Sequence, residues 1–254
     1  MIDSHCHLTD ERLLSQLPDV LDRAQRNNVT RMITIGTGIE DARAAVAICQ
    51  GRSNLRCAVG IHPNYCHEYT LADVEQLREI QNSPAVVALG EMGLDYFHKF
   101  APPAHQAEMF EAQLRLAREL DRPVVIHCRE AIDDALAIMR NYSSVPGVFH
   151  CFTGSTADAE KIIAAGYSIG FTGALTFKKS TELREIAKTL PAERILIETD
   201  SPYLSPEPMR KQKTNEPSLV VHVADVLAAA RDMTRQQIDE LTSINASRLF
   251  RWPL

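Results

Sequence analysis

Eight short apolar runs recur along the chain, at Met1–Asp3, Arg31–Gly36, Arg56–Gly60, Ala85–Gly90, Pro123–His127, Gly147–His150, Tyr167–Gly170 and Ile195–Thr199. Most stretches between them carry the spacing of amphipathic helices, as at Ala72–Ile80, Gln106–Leu120, Asp133–Arg140 and Ala157–Ala165. In Gln106–Leu120, the residues Met109, Phe110, Leu114, Leu116, Ala117 and Leu120 form a broad apolar stripe. Thr156, with Glu160 nearby, and Ser180 stand where N-caps would start helices, and Gly166 where a C-terminal cap would end one. Eight strands alternating with helices over 254 residues predict an α/β fold, a TIM-like (β/α)8 barrel. A doubly wound open sheet is the alternative. It is disfavoured because no glycine-rich nucleotide fingerprint follows the first run. The tail Pro217–Leu254 predicts one or two helices, Leu219–Ala230 and Arg235–Phe250. No linker, low-complexity tract or repeat divides the chain, so residues 1–254 are expected to form one domain.

Composition closes off several classes of function. With 45% apolar and 24% charged residues, the chain is ordinary for a globular protein. No run of about 18 apolar residues occurs, and no signal-peptide pattern opens the chain, so no membrane segment is expected. The six cysteines form no C-x-x-C pair, which fits free thiols in a cytoplasmic protein. A net charge of −6 argues against coating long stretches of nucleic acid, while leaving room to grip a few phosphates. Nothing demands an oligomer, and a monomer is expected.

The polar residues at the ends of the runs carry the chemistry. The active face of such a barrel lies at the C-terminal ends of its strands. Run one leads into His5 and His7, which a period of two puts on one face with Asp3 behind them. Run three leads to His62, run four to Glu91, run five to His127, run six to His150, and run eight to Glu198 and Asp200. Five of the nine histidines therefore stand at strand ends. A lone histidine there is more often a satisfied core residue. Five of them converging with Glu91 and Asp200 predict a metal site. Imidazole and carboxylate without thiolate suit Zn, Mn, Fe or Co, and tolerate Mg. Cys6, Cys128 and Cys151 adjoin His5, His127 and His150, so alternation should turn these thiols into the helix layer as small apolar residues. More than four ligands suggest two divalent cations, about 3.5–4 Å apart and bridged by a carboxylate, for which Glu91 and Asp200 both qualify.

These residues lie in motifs that resemble the TatD-type metal-dependent hydrolases. The motifs are DSHCHL at Asp3–Leu8, GIHP at Gly60–Pro63, GEMGLDY at Gly90–Tyr96, VIHCRE at Val125–Glu130, HCFTGS at His150–Ser155 and ETDSPYL at Glu198–Leu204. Gln106, Phe110 and Gln113, and NASRLF at Asn245–Phe250, agree with the same pattern. The resemblance implies a TIM-like barrel with a binuclear centre. His5, His7, Glu91 and Asp200 would hold one ion; Glu91, His127 and His150 would hold the other, with Glu91 as the bridge. It also implies deoxyribonuclease activity, trimming single-stranded DNA from the 3′ end, with RNA as a further substrate.

On that reading Asp200 is the general base for a water, with Glu198 two residues earlier helping to orient it. Arg129, two residues beyond His127, clamps a phosphate oxygen unless an ion pair with Glu130 occupies it. His62 contacts the phosphate or protonates the leaving oxygen. Asp95 and Tyr96 are expected to shape their loop. One region departs from the family, which commonly shows Pro-x-Pro, Arg-Gly-Lys and Asn-x-Pro after strand eight. Here the stretch is SPEPMRKQKTNEP, Ser205–Pro217, without the glycine. Arg210, Lys211 and Lys213 keep it basic and are expected to meet backbone phosphates, with Lys178 and Lys179 extending the patch. Against this stands an ordinary solvated charge run. The alternative activity is amide or ester hydrolysis, as in a D-aminoacyl-tRNA deacylase, because the same ions polarise a carbonyl. A non-catalytic metal-binding barrel ranks last, since the ligand set is complete.

Overall fold

A computed structural model describes residues 1–254. The eight strands are β1 (Ile2–Cys6), β2 (Arg31–Gly36), β3 (Leu55–Val59), β4 (Val86–Asp95), β5 (Val124–Arg129), β6 (Gly147–Phe149), β7 (Ser168–Phe171) and β8 (Ile195–Ile197). Every neighbouring pair from β1 to β8 is parallel, in sequence order. The helices are α1 (Glu11–Leu14), α2 (Leu17–Arg26), α3 (Ile39–Cys49), α4 (Val74–Ile80) and α5 (Pro103–Glu119), then α6 (Ile132–Met139), α7 (Thr156–Ala164), α8 (Thr181–Thr189), α9 (Val220–Ala230) and α10 (Arg235–Leu249). None is long and apolar enough to cross a membrane.

Strands β8 and β1 meet along a narrow seam that nearly closes the barrel. A single bridge links Cys6 to Ser201, with His7 N–H donating to Ser201 O at 2.7 Å and Asp200 N–H to His5 O at 2.9 Å. Side chains reinforce it. Asp3 accepts from Thr199 N–H at 2.9 Å and from the Thr199 hydroxyl at 2.6 Å, and Ser4 Oγ donates to Ile197 O at 3.0 Å. All of these groups are buried, so each bond replaces one that water would otherwise have made.

Two apolar cores follow from strand alternation. The larger lies between the barrel and its helices. The smaller fills the barrel interior with Ile2, Ile33, Ile35, Ala58, Val125, Val148 and Leu196. Ala246, Phe250 and Trp252 plug that interior from the end where the strands start. Asn245 anchors the plug there by donating to Ala192 O and Ile195 O at 2.8 and 2.9 Å. Arg31 and Arg56 flank the Trp252 ring at 5.0 and 4.9 Å. With the lower end sealed by apolar side chains, only the opposite rim is left for polar chemistry.

The elements differ from expectation in instructive places. Strands β1 and β4 run on through their polar residues, to Cys6 and Asp95. The N-cap of α7 is Ser155 and not Thr156; its hydroxyl accepts from Asp158 N–H while the Asp158 carboxylate accepts from Ser155 N–H, a reciprocal box. Gly166, at φ +89°, follows that helix as foreseen. Strict alternation fails in β1. Between Asp3 and Cys6 it carries one residue more than β2 does between Met32 and Thr34. This bulge puts Ile2 in the interior core and Cys6 in the outer one, although both are even-numbered.

Candidate metal centre

At the C-terminal rim the strand ends bring six titratable side chains around one carboxylate. Glu91, inside β4 and 2% exposed, lies at the centre. Its Oε2 is 3.5 Å from His5 Nε2 and 4.0 Å from His7 Nε2. Asp200 Oδ1 completes this side at 3.6 Å from His5 Nε2 and 3.3 Å from His7 Nε2, and the two imidazole nitrogens are 3.3 Å apart. The other oxygen, Oε1, faces His150 Nε2 at 2.7 Å, His127 Nδ1 at 3.0 Å and His62 Nε2 at 3.1 Å. Burial alone would raise the Glu91 pKa, but His150, His62 and His127 outweigh it and hold the carboxyl well below its usual range.

The donor set fits divalent cations. Donors about 2.0–2.2 Å from one tetrahedral cation lie about 3.3–3.6 Å from one another, close to the spacings on the Oε2 side. The His5 and His7 Nε2 atoms, 3.3 Å apart, are placed so that both could turn lone pairs towards one shared cation. Buried His5 Nδ1 and His150 Nδ1 have no hydrogen-bond partner, so no neighbour commits either ring to a tautomer that would block Nε2. Three overlapping groups have ligand-competent spacing: His5, His7 and Asp200; His5, Glu91 and His150; and His62, Glu91 and His127.

Hydrogen bonding separates the histidines by role. His127 Nε2 lies 2.9 Å from the Asp95 carboxylate, which claims the proton there and leaves the Nδ1 lone pair facing Glu91. His62 is the reverse. Its Nδ1 accepts from Asn64 N–H at 3.0 Å, so in the neutral ring Nε2 carries the proton and donates towards Glu91. His62 therefore stands among the ligands in space yet presents a donor. Burial would lower His7, but Asp200 and Glu91 push it up to about 9; burial would likewise lower His127, which Asp95 and Glu91 push up to about 9. His5, dominated by burial, is lowered to about 4.

The comparisons with known proteins bear on this arrangement. The family described as TatD related DNase matches residues 2–251. The chain belongs to that family. Its relatives include a Bacillus subtilis protein described as an uncharacterized metal-dependent hydrolase, YabD, 36% identical over 99% of both chains. Another is the 3′-5′ ssDNA/RNA exonuclease TatD of Edwardsiella piscicida, also 36% identical over 99% of both. The crystal structure of the TatD homolog YjjV from Escherichia coli superposes with a TM-score of 0.93 at 28% identity, covering 99% of this chain and 98% of that one. The chain is thus a TatD-family metal-dependent hydrolase, and the barrel is the family's fold.

For a TatD-family site, several residues stand elsewhere than the motifs suggest. A cavity of about 1000 Å³ opens over Glu91, with His7, His62, His127, His150 and Asp200 on its walls. Glu198 is not among its lining residues. Its Oε1 accepts from Cys151 N–H at 2.6 Å, its Oε2 from Ser4 Oγ at 3.1 Å, and a Cβ on Gly170 would sit 2.7 Å from both oxygens. Burial pushes its pKa up to about 7. Glu198 thus sits behind His150, whose Nδ1 is 3.8 Å from its Oε1, and is held by backbone and hydroxyl donors. Arg129 reaches the cavity, forms no ion pair with Glu130, and lies over the Phe97 ring at 3.9 Å. Arg210 lies over Phe177, a cavity residue, at 4.0 Å. Lys211 and Lys213 are exposed and line no part of the cavity; of the other pair, Lys179 lines it and Lys178 does not. Cys6 packs in the outer core as expected. Cys128 packs against the same core while also lining the cavity, and Cys151 lines the cavity, with a φ of +48° that ends the strand alternation.

Asp95 shapes its loop as expected, accepting from His98 N–H at 2.8 Å, and its buried carboxylate also meets His127 Nε2 at 2.9 Å, a contact that no motif indicates. The family-matching glutamines act as splints. Gln106 accepts from Asp95 N–H at 2.8 Å, and Gln113 accepts from Ile61 N–H at 2.8 Å, fixing the backbone beside Glu91 and His62. Asn215 donates to Thr199 O and Tyr203 O at 2.9 and 2.6 Å, so the variant loop keeps its anchor despite the missing glycine.

Proposed function

We propose that the protein is a nuclease that hydrolyses phosphodiester bonds of single-stranded DNA or RNA from the 3′ end, using two divalent cations bridged by Glu91. One observation carries this reading: the two oxygens of Glu91 face two sets of donors, His5, His7 and Asp200 beside Oε2, and His62, His127 and His150 beside Oε1. The printed activity of the Edwardsiella piscicida relative supports the substrate class. Imidazole and carboxylate donors fit Zn, Mn or Mg. Bound there, such cations supply Lewis-acid stabilisation of a phosphodiester and make a water more acidic.

The chain's own groups divide the remaining work. Asp200 lies on the cavity wall; burial would raise its carboxyl, but His7, His5 and His150 hold it below the usual range, so it is ionised and able to take a proton from the attacking water. His62 offers its Nε2–H to the leaving oxygen. Arg129, free of any carboxylate partner, holds a phosphate oxygen from the rim. The proposal treats residues 1–254 as one catalytic unit, supported by the family match over residues 2–251. It takes the protein to be cytoplasmic, which its six free cysteines support.

The test presents metal-supplemented protein with 3′- and 5′-labelled single-stranded DNA, RNA, a D-aminoacyl-tRNA and a panel of amides. Progressive shortening from the 3′ end is the expected result. Intact nucleic acid alongside a cleaved amide or aminoacyl ester would refute the nuclease reading.

A further inference from the structure

Three arginines lie over three aromatic rings, each pair with one member on the cavity wall (Tyr203, Arg129 and Phe177), and the mechanism above uses none of the rings. The Arg12 guanidinium carbon stands 4.7 Å from the centre of the Tyr203 ring, that of Arg129 3.9 Å from Phe97, and that of Arg210 4.0 Å from Phe177. Tyr203 and Phe97 remain 47% and 50% exposed, unusual for large rings beside a polar site. Two pairs come from the loops after β7, β8 and β1. The third comes from β5 and the loop after β4, across the barrel, with the Glu91 cluster between them.

The pairs are not alike. Arg12 is held by Asp10 through two bonds of 2.8 and 2.7 Å, so its charge is compensated and it acts as a brace for Tyr203. Tyr203 is fixed from behind by Asn215, and its ring meets the His7 ring edge-on at 6.0 Å. Arg129 and Arg210 have no carboxylate partner, so each carries an uncompensated charge already oriented by its ring. An exposed aromatic face beside a metal ligand suits a nucleobase, and a pre-oriented guanidinium suits a phosphate.

We propose that the three pairs are nucleotide subsites: one base stacks on Tyr203 beside His7, a second on Phe97 across the mouth, and Arg129 and Arg210 hold the intervening backbone. This rests on the phosphodiesterase reading above. Rings select single strands, because bases in a duplex stack on each other and cannot lie on protein. They select no sequence, because every base has a π-face.

The experiment measures fluorescence anisotropy of a short labelled oligothymidylate, phosphorothioate-linked to resist cleavage, and of its duplex with oligoadenylate, on metal-loaded protein. Tyr203→Ala and Phe97→Ala should each weaken single-strand binding roughly tenfold and shift duplex binding far less, while Tyr203→Phe should match the parent. Arg210→Gln should weaken both and flatten the salt dependence. Single-strand affinity in both alanine variants equal to the parent's, or equal losses on single strand and duplex, would overturn the subsites. Hydrolysis of bis(p-nitrophenyl) phosphate by the parent separates the two claims. A parent that binds single strands through the rings but cleaves no phosphodiester refutes the catalytic reading alone. A parent that cleaves while the ring variants bind normally refutes the subsites alone.

Discussion

Glu91 offers one oxygen to each donor group, so its loss should be felt on both sides. Glu91→Ala is expected to bind fewer ions than the parent, counted by elemental mass spectrometry, and to lose more activity than the roughly 10–100-fold that a supporting partner costs. Asp95→Asn belongs to that milder class. It should weaken metal affinity by roughly 10–100-fold, because a neutral amide holds the His127 Nε2–H less firmly. Glu198 gives the contrast. Glu198→Gln can still accept from Cys151 N–H and should keep most activity. Glu198→Ala leaves that part-buried N–H unpaired at about 1–3 kcal/mol, lowering Tm by roughly 2–12 °C. A Glu198→Gln variant as inactive as Asp200→Asn would restore Glu198 to the chemistry. At this scale the histidines and carboxylates were legible in the sequence, because each ends an apolar run. The Asp95–His127 contact was not, since it depends on which ring nitrogen faces which neighbour. The arginine–aromatic pairs were hidden too, because they join loops far apart in the chain.

Among the elements, all eight strands could be read from apolar runs, and helices α4 to α10 from their spacing and caps, while α1, α2 and α3 were given no ranges. The limits of the reading were physical. An apolar run stops at its first polar residue, but β1 and β4 continue past Ser4, His5 and Glu91 and pair again at Cys6 and from Met92 to Asp95, because polar side chains at a barrel rim still face protein. The bulge in β1 was invisible because a single extra residue leaves no trace in composition. The function of the C-terminal tail was hidden for a similar reason: a stripe predicts helix α10 but not that Phe250 and Trp252 fill the barrel. Phe250→Ala should cost about 3–5 kcal/mol, a drop in Tm of roughly 6–20 °C. The metal content of the remaining folded protein should stay unchanged, because the plug lies at the opposite end from Glu91. Loss of bound metal at a temperature where the variant is folded would show that the two ends of the barrel are coupled.

For the whole molecule, metal and proton compete for the same nitrogens. His7 and His127 rise to about 9 in the metal-free fold from an ordinary value near 6.5. Their contribution to stability is therefore complete below about pH 6.5 and lost as pH climbs through 9. Metal binding runs the other way, since each proton lost from these rings frees a ligand. The Tm difference between metal-loaded and chelated protein should widen from pH 6.5 to 9, and calorimetry near pH 7 should register proton release on metal addition. A constant difference across that range would place the protons elsewhere. The closure between β1 and β8 has a consequence of its own. His5 and His7 come from one end of the chain and Asp200 from close to the other, and they gather where the barrel has its thinnest backbone pairing. A cation held there would be a clasp as well as a cofactor. It would fasten two lips of the sheet that one backbone bridge and a few side-chain bonds otherwise join, so a chelator that empties the centre should also loosen the fold at that one joint.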